Sequence, residues 1–63
     1  MPFKIGDKIE SLGRQSVIVS DFVNLSGIPY YVLEYGNGRL ETRSHEYGDT
    51  RFILINSAKE DQT

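Results

Sequence analysis

"YYVLEYGNGRLETRS", residues 30–44, decides how this chain is read. A run rich in aromatic and β-branched residues is joined to a polar, charged run through an Asn-Gly pair. Asn-Gly between two such runs is the strongest short-range hairpin signal, because a type I′ turn needs positive φ at both central residues. Placing Asn37 and Gly38 at the turn fixes a register in which Tyr35 faces Leu40, Leu33 faces Thr42 and Tyr31 faces Ser44. The other face then pairs Glu34 with Glu41, Val32 with Arg43 and Tyr30 with His45. Tyr31, Leu33 and Tyr35 are expected in the core, with the mixed second face in water.

The strand period extends outward from this hairpin. "SVIVSDFV" (16–23) and "RFILIN" (51–56) are short, β-branched or aromatic, and bounded by turn-forming residues. Glycines at 6, 13, 27, 36, 38 and 48 leave no uninterrupted window longer than 13 residues before Gly48, so amphipathic helices are not expected. "EYGNGR" (34–39) is echoed twelve residues later by "EYGDTR" (46–51). The echo reads as turn chemistry used twice, with Gly48 and Asp49 reversing the chain into a last strand. At the start, "FKIGDKI" (3–9) sets Phe3, Ile5 and Ile9 around a Gly-Asp turn. Gly6 permits the bend, and Asp7 can accept hydrogen bonds from nearby amides.

Composition narrows the function classes. The 63 residues make one small domain with a thin core, here residues 1–56, followed by a polar tail over 57–63 expected to fray. There are no cysteines and one histidine, so thiolate metal sites and cysteine nucleophiles are excluded and no cofactor is expected. No apolar run approaches the roughly 20 residues needed to span a bilayer, and the N-terminus lacks a signal-peptide pattern, so a cytoplasmic location is expected. Seven basic against nine acidic residues give a net charge of −2, which does not favour broad electrostatic binding to nucleic acid or membranes.

"FKIGDKIE", "SVIVSDFV", "IPYYVLEYGNGRLE" and "RFILIN" together resemble the small SH3-like β-barrels, in particular bacterial and phage KOW- and Tudor-like members. The resemblance covers residues 3–56 and implies an all-β, five-stranded barrel closed around one core. It departs from the KOW pattern at Gly13, which is followed by "RQS". In Tudor-like barrels, aromatic residues at the mouth can cage a cation. The plasmid-type dihydrofolate reductases are also tiny SH3-like barrels, with an active site built from a Val-Gln-Ile-Tyr segment. The comparable strand here, residues 39–45, reads "RLETRSH", so reductase activity is not expected, while a small homo-oligomer built on similar edges stays open beside a monomer.

No catalytic triad, phosphate loop or dinucleotide fingerprint is present. The chain is therefore expected to be a non-enzymatic interaction module docking on a protein of the transcription, translation or DNA-handling machinery. Tyr30, Val32, Arg43 and His45 are the candidate protein-binding residues, with pairing along an exposed barrel edge as a second route. The alternative is direct nucleic-acid binding through Arg14, Arg39, Arg43 and Arg51, with Tyr30 or Tyr47 as a stacking platform.

Overall fold

A computed structural model describes residues 3–58. The elements run β1 (Lys8–Ser11), β2 (Arg14–Val23), β3 (Pro29–Tyr35), β4 (Leu40–Ser44), α1 (His45–Arg51) and β5 (Ile53–Asn56). The five strands form one antiparallel sheet in the order β4-β3-β2-β1-β5. Among the described residues β4 and β5 are its two edges and do not pair, so the sheet is open where a closed barrel was expected. The chain between them forms α1, packed on β3 and β4, and the four residues of β5 are used in pairing with β1. Of the expected tail, residues 59–63 lie outside the described residues, and Ala58 is held by a hydrogen bond to Asp7.

The hairpin forms, but in a different register. Tyr31 pairs with Arg43, Val32 with Thr42, Leu33 with Glu41 and Tyr30 with Ser44. The turn explains the shift of one residue. Gly38 donates to the Tyr35 carbonyl and Tyr35 to the Arg39 carbonyl, while Gly38 alone in this loop has positive φ, at 86°. That is a three-residue loop, a type I turn closed by a glycine bulge, and not the two-residue I′ turn. Asn37 Oδ1 accepts from the Arg39 amide and holds the bend. Because side chains alternate, the slip places Glu41 and Arg43, instead of Thr42 and Ser44, on the face of Tyr31 and Leu33. Positive φ at both central residues occurs instead at Leu12 (55°) and Gly13 (79°), between the paired Ser11 and Arg14.

A bulge in β2 matters equally. Ile18 pairs with Leu33 and Ser20 with Val32, so Val19 is an extra residue and the alternation of β2 inverts there. Ser16, Ile18 and then Asp21 consequently lie on the core face. That core consists of Phe3, Ile9, Ile18, Tyr31, Leu33 and Phe52, all buried. Phe3, Tyr31 and Phe52 meet with ring centroids 5.7–6.0 Å apart.

The second half of the echo is a helix, not a turn. Ser44 Oγ accepts from the Tyr47 amide at 3.1 Å and caps α1, Glu46 lies in the first turn and Arg51 in the last, matching the helix dipole. Gly48 is buried inside it, where a β-carbon would sit 2.6 Å from Phe52 Cε2 and 2.9 Å from Tyr31 Cε2. The last strand therefore begins at Ile53, with Arg51 on the helix.

Candidate functional site

The shifted register divides the residues that the sequence grouped for protein binding. Tyr30 and Val32 lie on the outer face, where Tyr30 stacks on Phe22 with centroids 5.5 Å apart. Arg43 and His45 lie on the core side. His45 stacks on Tyr31, not on Tyr30, at 4.0 Å, and its Nε2 is 2.8 Å from Asp21 Oδ1. The β2 bulge is what brings Asp21 to this side, and no periodic reading of the sequence would have placed it there.

The arginines and tyrosines assemble differently. The Arg14 guanidinium lies 5.1 Å over the Tyr35 ring, and the Tyr35 hydroxyl donates to Glu41 Oε1 at 3.2 Å. Glu41 Oε1 also accepts from Arg43 Nη2 at 3.1 Å. Arg43 lies 5.8 Å and Arg51 5.2 Å from the Tyr47 ring centroid. Six side chains from β2, β3, β4 and α1 thus touch in one unbroken line. Of the nucleic-acid candidates, Arg14, Arg43, Tyr47 and Arg51 belong to it. Tyr30 is on the other face, and Arg39 follows the hairpin loop with no side-chain link to the line among the described contacts. Tyr35 and Glu41 are the members the sequence reading missed, because the assumed register sent Glu41 to the opposite face.

Burial, the nearby Glu41 charge and the hydrogen bond to it all raise the Tyr35 pKa. Tyr31, fully buried, is raised further, first by burial and then by its 2.7 Å hydrogen bond to Asp49. Both phenols are therefore held neutral as donors. Among the described residues the aromatic side chains do not converge into an open cage: Phe22 and Tyr30 stack outside, while Tyr35 and Tyr47 are engaged with arginines.

A third feature is the edge strand. Ile53, Leu54 and Ile55 of β5 are 61%, 47% and 43% exposed, and no described strand pairs with their outer side. Leu12, 79% exposed, lies at the same end of the sheet, since Glu10 pairs with Ile53. The opposite edge differs, because β4 carries Glu41 and Arg43 and runs directly into α1.

Among the described residues no cluster of three or more His, Asp or Glu side chains could hold a metal ion, and no helix is long and apolar enough to cross a membrane. Compared with known proteins, the chain matches no family model, no curated protein and no solved structure.

Proposed function

We propose that this chain is a small non-enzymatic module that docks on a partner protein by accepting an extended segment alongside β5. One observation carries the reading: three consecutive aliphatic side chains stand exposed on an unpaired sheet edge. Native sheets ordinarily blunt such an edge with lysine, proline or a covering element, because its free amides and carbonyls recruit strands. β5 itself, reading Ile-Leu-Ile-Asn, contains no charge and no proline. The edge spans only about 13 Å, at roughly 3.3 Å per residue. Pairing two copies edge to edge over that length buries too little for a stable dimer, whereas a partner strand can run on past β5 to Leu12 and add contacts there.

An SH3-like arrangement is part of the proposal. Support comes from the strand order, from the ten-residue β2 with its bulge, and from the helical connection between the last two strands. A bacterial or phage origin in the KOW- and Tudor-like group, and a partner in the transcription, translation or DNA-handling machinery, rest on the sequence resemblance alone.

The test is capture of partners from bacterial lysate on the immobilised chain, identified by mass spectrometry, in parallel with Ile55→Lys. A specific partner retained by the native chain and lost with the lysine, with slowed amide exchange over residues 53–56 in the complex, is the expected result. Equal retention by both chains would move the site elsewhere. A concentration-dependent dimer in sedimentation, abolished by Ile55→Lys, would replace the partner strand with a second copy of this chain.

A further inference from the structure

We propose that the line Arg14–Tyr35–Glu41–Arg43–Tyr47–Arg51 is a binding track for single-stranded nucleic acid. The track is carried by β2, β3, β4 and α1, whereas the proposed docking edge is β5, which begins two residues after Arg51.

Three arginines and two tyrosines alternate along the line, with one glutamate between them, in a chain whose net charge is −2. Positive charge is therefore concentrated on a narrow strip, and the remaining surface is more acidic than the total. Each tyrosine also borders an open cleft. Tyr35 lines one of about 450 Å³ with Lys8, Gln15, Val17 and Glu34, whose carboxylate restricts phosphates there, and Tyr47 lines one of about 320 Å³ with Ser44, Thr50 and Arg51. Glu46, on the rim of the second cleft, restricts where a phosphate can sit there.

Flat guanidinium and phenol groups within 5–6 Å of one another suit a ligand that presents flat rings and anionic links in alternation. A nucleotide strand is such a ligand, with bases stacking on the tyrosines or on the guanidinium planes and phosphates meeting Arg14 and Arg51, both exposed. An acidic peptide supplies the charge without the rings. A duplex is rigid and wide, and it would set its phosphates against the acidic surroundings of the strip. The geometry thus favours a single strand, held by about two phosphate contacts, at Arg14 and Arg51, because Arg43 is paired with Glu41.

The experiment is fluorescence anisotropy with a labelled oligothymidylate of roughly 12 nucleotides, beside the same strand as a duplex and a labelled polyglutamate peptide. Saturable binding of the single strand at low salt is expected. Its dependence of log K on log salt should have a slope of about −1.4, two contacts at ~0.7 each. Arg14→Gln and Arg51→Gln, both at exposed positions and with the fold checked by circular dichroism, should each weaken binding on the order of tenfold and lower the slope by about 0.7. Ile55→Gln, which alters the β5 edge without adding charge, should leave this binding untouched. Three outcomes overturn the proposal: no anisotropy change at low salt, equal affinity for the duplex or polyglutamate, or unaltered binding by the Arg14→Gln/Arg51→Gln double variant.

Discussion

Leu12 is the one non-glycine residue at positive φ among those described, and its side chain is exposed. The left-handed region costs a residue with a β-carbon about 1–2 kcal/mol, and asparagine tolerates it better. Burial within this chain gives nothing back. Leu12→Asn, creating Asn-Gly at the position that actually needs it, should raise stability by about 0.5–1 kcal/mol, a rise in Tm of several degrees for a domain this size. An unchanged or lower Tm in calorimetry would show that Leu12 is unstrained. If Leu12 extends the β5 surface, the same variant should weaken partner capture, so stability and binding move in opposite directions. Tyr31 gives a second residue-scale expectation. Its phenol is held neutral by burial and by Asp49, so its folded pKa lies above the ordinary value of about 10. Stability from this shift is complete below pH ~10 and is lost as pH rises through the folded pKa. Tyr31→Phe, which keeps the ring, should therefore move the alkaline unfolding midpoint upward in circular dichroism. A midpoint unchanged by the substitution would disconnect Tyr31 from alkaline unfolding.

For elements, Gly48 provides the clearest sign test. An alanine in a helix interior ordinarily improves on glycine by about 1 kcal/mol. Here its β-carbon would enter the space held by Phe52 and Tyr31, both in the core, and overpacking of that kind costs about 1–3 kcal/mol. Gly48→Ala should lower Tm, and a rise would mean that α1 does not pack this closely. In the hairpin loop, Gly38→Ala should be destabilising because of its positive φ, while Gly36→Ala, with ordinary φ and open space, should be close to neutral. These two loci also show what the sequence could convey. The hairpin was legible because Asn-Gly between strands demands a reversal. Its register was not, because a type I turn with a bulge and a type I′ turn use the same letters and differ only in which residue takes positive φ. The helix was hidden for a related reason. Its seven residues, "HEYGDTR", gain little from propensity and are held by the Ser44 cap and by packing on Phe52, both tertiary or local contacts that no periodicity displays.

Across the whole molecule, an open five-stranded sheet must secure its ends, and Asp7 does so. This carboxylate is 98% shielded (2% exposed): Oδ2 accepts from the Lys4 amide at 2.9 Å and Oδ1 from the Ala58 amide at 2.8 Å. Its own carbonyl accepts from Ile18 beside the β2 bulge. The bond to Lys4 was foreseeable from a Gly-Asp turn; the bond to a residue 51 positions away was not. One side chain thus joins the N-terminal turn to the segment that follows β5, and its backbone joins both to β2. Hydrogen bonds to a charged group contribute about 1.5–3 kcal/mol each, and those lost with Asp7→Ala leave partly shielded amides without a partner. We expect a loss of about 2–4 kcal/mol, a Tm drop on the order of 10–25 °C. Asp7→Asn keeps one acceptor oxygen and should fall roughly midway between the two. Gly6→Ala strains the same clasp from the other side, since its β-carbon would meet Ala58 Cβ at 2.9 Å and φ is 99°. Because Asp7 and Gly6 act on one junction, the double variant should lose less than the sum of the singles. Full additivity in thermal denaturation would mean that the two residues stabilise separate parts of the fold and that no common clasp joins the N-terminal turn to the segment after β5.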